Sequence, residues 1–271
     1  MKFKKHTVHK KLEPYINTII QIETDCPINY KVLTKSKIGF LFHYMKDDIL
    51  LKDEINSRQA NILAISGFKS SAVDFSLTGK NGFFLVHFNH CAKSVIKELE
   101  AIKTLDDDFN MKDIYSSSTH LEEQLKNEPD DKIKLHLIEK FIFNIITQKD
   151  INIYIDEAVK NIIYSNGTIH INDLSKKIGY SQKQLIRLFK THVGITPKKF
   201  SKIIQFENTI QLLKNFEGKY SEIALEAGYF DQAHFINSFK QTTGVSPDKF
   251  LLENPQYITS LTNNIFLNKL R

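Results

Sequence analysis

Cysteine is nearly absent from this chain: of 271 residues only Cys26 and Cys91 carry thiols. They could pair only once, so a disulfide framework is excluded and two reduced thiols are expected. No early apolar run has the shape of a signal peptide, and no stretch approaches the ~20 apolar residues that a membrane span needs. Together these absences predict a cytoplasmic protein with no membrane partner. Also missing are a Gly-rich phosphate loop, a G-x-S-x-G elbow and an H-E-x-x-H helix. The expectation is a protein that is not an enzyme and needs no cofactor and no metal.

What remains is ordinary in bulk. Hydrophobic residues make up 41% and charged residues 25%, which suits a soluble globular protein long enough for two domains. The net charge of +6 is unevenly spread. Residues 151–271 hold 15 Lys/Arg against 10 Asp/Glu, and residues 1–150 hold 22 against 21. An excess this small does not argue for a polyanion partner by itself.

The informative stretch runs from Asp173 to Phe250, because it says the same thing twice. The first copy holds Leu174, Ile178, Gly179, Tyr180, Ser181, Leu185, Phe189-Lys190, Gly194, Pro197 and Phe200. The second holds Ile223, Ala227, Gly228, Tyr229, Asp231, Phe235, Phe239-Lys240, Gly244, Pro247 and Phe250. Gly179 and Gly228 are 49 positions apart, whereas Leu185 and Phe235, Phe189 and Phe239, and Pro197 and Pro247 are 50 apart. The added residue is Phe230, in the second turn. A repeat matching glycine, aromatic and proline positions at one period is not chance.

Each copy has the grammar of a helix-turn-helix. A short helix with two apolar positions stops at a glycine that can take the left-handed conformation of a C-terminal cap. Ser181 or Asp231 then stands where an N-cap accepts from exposed backbone N–H groups. The next helix has Leu185, Leu188 and Phe189, or Phe235 and Phe239, on its inner face. It ends at Gly194 or Gly244, and a proline opens a further helix. This unit sets its second helix in the major groove of double-stranded DNA. The candidate readers are the outward polar positions early in each second helix. They are Gln182, Lys183, Gln184 and Arg187 in the first copy, and Gln232, His234, Asn237, Ser238 and Gln241 in the second. Gln suits adenine and Arg suits guanine. Lys190, Lys198, Lys199, Lys240 and Lys249 suit phosphates. A solvated helix face is the plain alternative for any one of them.

The repeat resembles the DNA-binding domain of the AraC/XylS family of bacterial transcription regulators, over roughly the last 40% of the chain by motif extent. Its most specific part is Gly228-Tyr229-Phe230-Asp231-Gln232-Ala233-His234-Phe235 with Phe239-Lys240 and Gly244-Val245-Ser246-Pro247. Gln205 and Thr209 stand where that family usually has Arg and Ala, and Leu251 stands where an Arg often follows the aromatic. The resemblance implies a regulator that binds a promoter or operator and either recruits RNA polymerase, as an activator, or blocks it. It leaves open a small-molecule effector and a homodimer.

The rest of the chain predicts an α+β fold. Residues 1–148 read as a β-rich, barrel- or sandwich-like domain with a helical segment, serving as a sensor or dimerisation module. Residues 152–255 read as an all-α domain of two helix-turn-helix units joined by a long helix from Pro197 to about Asn215. Residues 256–271 form a tail in which Ile258, Leu261, Ile265 and Leu267 could dock. The basic start, Lys2 to Lys11, reads as a frayed, solvated terminus rather than a DNA-touching arm. Strands are expected over Tyr15–Ile22, Ile38–Tyr44, Ile62–Ser66, Ala72–Leu77 and Phe83–Phe88. Helical spacing begins at Val95, Ile96 and Leu99. Ile133, Leu137, Ile138, Phe141, Ile142 and Ile145 then form an apolar stripe that could pack on the strands or dimerise. Gln148–Asn152 reads as the linker. His43, His87, His90 and Cys91 raise the alternative of a metal-dependent β-barrel enzyme fused to a DNA-targeting domain, but their spacing matches no strong metal pattern.

Overall fold

A computed structural model describes residues 2–45, 49–52, 57–59, 63–77, 79–99, 102, 105–147, 151–214, 218–253, 257–258 and 265–266. The expected linker positions 148–150, and Leu261 and Leu267 of the tail, lie outside them. The fold is α+β, with antiparallel sheet first and helices after. The chain divides into two compact units. One comprises Met1–Asn29, Lys37–Gly67 and Asp74–Ile151; the other comprises Tyr30–Ser36, Phe68–Val73 and Asn152–Arg271. The division is therefore not a single cut along the chain.

The first unit is built on a six-stranded sheet. Its strands are β1 (Lys2–His6), β2 (Ile16–Thr24), β4 (Gly39–Met45), β7 (Leu63–Ser66), β9 (Asn81–Phe88) and β10 (Asp108–Asn110), in the order β1-β2-β9-β4-β7-β10. All described neighbours run antiparallel. Between them in sequence come β3 (Ile28–Val32), β5 (Ile49–Lys52), β6 (Ser57–Gln59) and β8 (Val73–Leu77), of which β5 pairs antiparallel with both β6 and β8.

The basic start is not a frayed end. Lys2–His6 pairs residue for residue with Ile19–Glu23, and the His6 ring reaches Gln21 Oε1 at 2.9 Å. Unpaired backbone groups on the edge of β2 offer a ladder to any neighbouring chain, and the lysines can stay solvated while their backbone joins it.

Period-two alternation gives the sheet two faces. Ile19, Phe84, Val86, Phe40 and Phe42 lie on one of them, all fully buried. Onto it packs α2 (Asp131–Ile145), preceded by α1 (Ser118–Asn127). The α2 stripe is covered within this unit: Ile138, Phe141, Ile142 and Ile145 are buried, and the Phe141 ring meets Phe42 and Tyr115 edge-on at 6.2 and 5.8 Å. Each such side chain removed from water contributes about 1.5–3 kcal/mol. Ile133, counted in the stripe, is exposed instead. Asp130 caps α2 by accepting from Lys132 and Ile133 N–H, so the helix starts where the Glu128–Asp131 turn ends. The helical spacing at Val95–Leu99 becomes only a short 3-10 turn, Ala92–Ser94, with Val95, Ile96 and Leu99 buried after it.

The second unit contains α3 (Ile153–Tyr164), α4 (Ile171–Ile178), α5 (Gln182–His192), α6 (Pro197–Lys214), α7 (Tyr220–Glu226), α8 (Gln232–Thr243) and α9 (Pro247–Glu253). Asn152 caps α3 by accepting from Tyr154 and Ile155 N–H. Helices α3, α4, α5 and the start of α6 surround Leu174, Leu185, Phe189 and Phe200, with the Phe189 and Phe200 rings 5.6 Å apart. The second cluster gathers Phe206, Ile210, Leu213, Ile223, Ala227, Tyr229, Phe235, Phe239 and Phe250.

Leu33 belongs to that second cluster, and the Phe68 ring meets Phe200 at 6.4 Å. Ala72 N–H donates to Thr242 carbonyl at 2.8 Å, and Ser36 N–H to Glu207 Oε1 at 3.1 Å. These two short segments of the early chain thus complete the core of the helical unit. In the tail, Tyr257–Ile258 (β11) pairs in parallel with β3 at Lys31 and Val32, and Ile265–Phe266 (β12) pairs antiparallel with β11.

Candidate nucleic-acid interface

Both turns close in the same way. Gly179 ends α4 with φ 80° and Gly228 follows α7 with φ 73°, backbone space that a side chain resists. Tyr180 N–H then bonds Ser175 carbonyl at 3.0 Å, and Tyr229 N–H bonds Ala224 carbonyl at 2.8 Å. This is the six-to-one bond of a Schellman cap, made twice at equivalent positions. Ser181 Oγ accepts from Gln184 N–H at 3.3 Å and opens α5. Asp231 Oδ1 accepts from His234 N–H at 2.7 Å and opens α8. The extra residue Phe230 fits between cap and turn and is itself 92% exposed.

The repeat continues past the second helices. Thr196 Oγ1 accepts from Lys199 N–H and Ser246 Oγ from Lys249 N–H, at 3.2 and 3.3 Å, so α6 and α9 start alike at Pro197 and Pro247. The outer surfaces match position by position. From Ser181 to Lys190 and from Asp231 to Lys240, four exposed residues are followed by a buried one, then by the same alternation to a second buried aromatic.

On these matched surfaces Gln182, Lys183, Gln184, Arg187, Lys190, Lys198 and Lys199 are exposed in the first copy. Gln232, His234, Asn237, Lys240, Gln241 and Lys249 are exposed in the second. Among the described residues none engages the side chains of Gln182, Lys183, Gln184, Arg187, Lys190, Lys198, Lys199, Gln232, Asn237, Lys240 or Gln241. Their donors and acceptors are left to solvent or to a ligand.

Three of the candidates have internal tasks. Ser181 and Asp231 hold the helix starts. Ser238 is half-buried and hydrogen-bonds the Tyr229 hydroxyl, which Thr209 Oγ1 also meets at 3.1 Å. His234 is intermediate: its Nδ1 accepts from Phe230 N–H at 3.3 Å, which leaves Nε2 to carry the proton of the neutral ring.

One functional position escaped the sequence reading. Gln205, on α6, donates from Nε2 to the carbonyls of Ala227 and Gly228 at 2.9 and 3.1 Å. In sequence it reads only as a departure from a family pattern. A glutamine of the connecting helix thus holds the end of α7 at the turn that leads into α8.

The histidines weighed for metal binding are differently placed. Both His43 ring nitrogens are buried without a hydrogen-bond partner, and the ring lies 4.8 Å from Phe83. His87 Nδ1 faces Thr18 Oγ1 at 3.4 Å. Among the described residues no three His, Cys, Asp or Glu side chains stand together as a metal ion would require. No disulfide joins Cys26 and Cys91. No helix among the described residues is long and apolar enough to cross a membrane.

Residues 174–252 match the helix-turn-helix domain family. An HTH-type transcriptional regulator of Haemophilus influenzae is 29% identical over 118 residues, covering 44% of this chain and 39% of that protein. The lactose operon transcription activator of Staphylococcus xylosus is 31% identical over 117 residues, 42% of each chain. This chain thus spans less than half the length of these curated relatives. Among solved structures, ToxT of Vibrio cholerae aligns over 93% of this chain and 98% of its own, at 12% identity and a TM-score of 0.46.

Proposed function

We propose that this chain, whose carboxy-terminal part is a helix-turn-helix domain of the AraC type, is a sequence-specific DNA-binding transcription regulator. The observation that carries the reading is the matched pair of outer surfaces on α5 and α8. Two helices with the same caps and the same exposure pattern present unengaged Gln, Arg, Asn and Lys side chains to one class of ligand. Polar forks suited to base edges, ringed by lysines suited to phosphates, fit double-stranded DNA.

The two helices enter successive major grooves, which lie about 34–36 Å apart on one face of the duplex. Gln182, Gln184, Arg187, Gln232, His234 and Asn237 face base edges, and Lys190, Lys198, Lys199, Lys240 and Lys249 face phosphates. Where the helices stand closer than one groove repeat, the DNA bends, and the sequence between half-sites matters without being touched. The amino-terminal unit serves as a sensor or dimerisation module. A small-molecule effector acts only through different affinities for two arrangements of the protein. Bound at a promoter in the cytoplasm, the protein contacts RNA polymerase and acts as an activator. The names of the relatives favour this reading over a metal-dependent enzyme.

The test is selection of genomic fragments by the purified chain at a stated near-physiological salt. Enrichment of two short sequence blocks about one helical turn apart is the expected result. Binding by the full chain that is only salt-sensitive and sequence-blind would overturn sequence-specific regulation.

A further inference from the structure

The internal repeat allows each surface position of one helix-turn-helix to be compared with its equivalent in the other, and the comparison separates them by charge. Residues 171–199 hold seven Lys/Arg against one acidic residue, Asp173. Residues 220–249 hold two, Lys240 and Lys249, against four acidic residues, Glu222, Glu226, Asp231 and Asp248. All of these side chains are exposed. Lys183, Arg187 and Lys198 are replaced, 50 positions on, by Ala233, Asn237 and Asp248. The exposed pair Lys176-Lys177 on α4 becomes Leu225-Glu226 on α7.

The caps sharpen the contrast. The positive end of the α5 dipole is capped by the neutral hydroxyl of Ser181, whereas that of α8 is already occupied by the carboxylate of Asp231. A phosphate approaching α5 meets unopposed N–H groups and lysines; one approaching α8 meets a carboxylate first. The backbone fold of the two modules is the same, so the difference is electrostatic.

We infer that the two modules share the work on DNA unequally: the first supplies the grip on the phosphate backbone beside its own base contacts, and the second reads bases through uncharged side chains once the first has docked. The inference rests on the DNA-binding reading and deepens it. Sequence-blind binding is almost wholly electrostatic, so it runs through the first module. The second module, with a net negative surface, gains nothing on an arbitrary duplex. It engages only where Gln232, His234 and Asn237 find their base edges. The module that contributes least to general affinity then adds specificity without adding grip.

Equivalent lysines provide a charge-matched test. Lys190→Gln with Lys199→Gln removes two charges from the first module, and Lys240→Gln with Lys249→Gln removes two from the same positions of the second. All four are exposed, so both double variants keep the fold, which a thermal melt verifies. The probe is a random-sequence 24-base-pair duplex titrated by fluorescence anisotropy across a series of KCl concentrations. Each phosphate contact contributes a slope of about 0.9 in log affinity against log salt. The first double variant should lose a slope of about 1.8, and the second less than about 0.5, on the same basis. Equal losses, or a larger loss in the second module, would overturn the division of labour. A wild-type chain with no salt-dependent affinity for the duplex would instead sink the DNA-binding reading itself.

Discussion

Gln205 Nε2 lies 2.9 Å from the carbonyl oxygen of Ala227, 22 residues further along the chain. The last carbonyls of a helix have no partner within it, and here the middle of α6 supplies one. The same amide reaches Gly228 carbonyl, and one turn on, Thr209 Oγ1 meets the Tyr229 hydroxyl. An uncharged pair thus fixes the second turn to the connecting helix. Gln205→Leu keeps the bulk and removes the donor, and should lower the unfolding free energy by about 1–2 kcal/mol. Urea denaturation of the full chain reads this directly. An unchanged midpoint would mean that solvent replaces the amide.

The two turn glycines should differ in what they tolerate. At both, a side chain must accept a left-handed backbone, which costs about 1–2 kcal/mol. At Gly179 an added Cβ meets nothing within 4 Å, whereas at Gly228 it would lie 2.4 Å from Thr168 Cγ2. Thr168 cannot turn away freely, because its Oγ1 donates to Ser165 carbonyl at 2.6 Å. Gly228→Ala should therefore cost more than Gly179→Ala in parallel denaturation curves. Adding Thr168→Ser, which deletes the offending methyl, should recover part of the excess in Gly228→Ala. No recovery would place the strain in the backbone alone.

Much of the helical unit was legible because its signals are local and doubled. Gly179 and Gly228, Ser181 and Asp231, and Pro197 and Pro247 each announce a helix boundary within four residues, and the second copy checks the first. The buried positions Phe200, Ile203, Ile204, Ile210 and Leu213 of α6 follow from spacing alone. What sequence could not give is partner choice across long separations. Nothing near Leu33 or Phe68 says that they complete the core around Phe206 and Phe200. The lysines of β1 advertise solvent and hide a backbone ladder with β2. In sequence Gln205 reads as a lost arginine; its two carbonyl partners lie 22 and 23 residues away.

His43 sets an acid limit on the amino-terminal unit. Burial pushes its pKa down from 6.5 to about 3, so the folded chain keeps the ring neutral where the unfolded chain protonates it. Between those values the unfolded state binds more protons, and stability must fall as pH falls from 6.5 toward 3. The contribution is at most about 1.4 kcal/mol per pH unit. His43→Phe should sit against Phe83 and remove it. Unfolding free energies at pH 7, 6, 5.5 and 5 should decline less steeply in the variant. Parallel declines would show that His43 titrates without unfolding.

Arg187 and Asn237 occupy the same place in the two modules and should fail in different ways. Arg187 is exposed, unengaged and on the side of α5 away from Phe189, so its guanidinium can fork onto guanine O6 and N7. Arg187→Lys keeps the charge and loses the fork. Affinity for a selected operator should drop by about 1–3 kcal/mol, while affinity for a random duplex stays level. Asn237→Ala carries no charge change either, and should relax preference at one base pair of the other half-site by a similar amount. Binding each variant to operators randomised at single positions separates the two effects. If Arg187→Lys left the operator affinity intact, Arg187 would be a phosphate contact, and base reading by α5 would fall to Gln182 and Gln184.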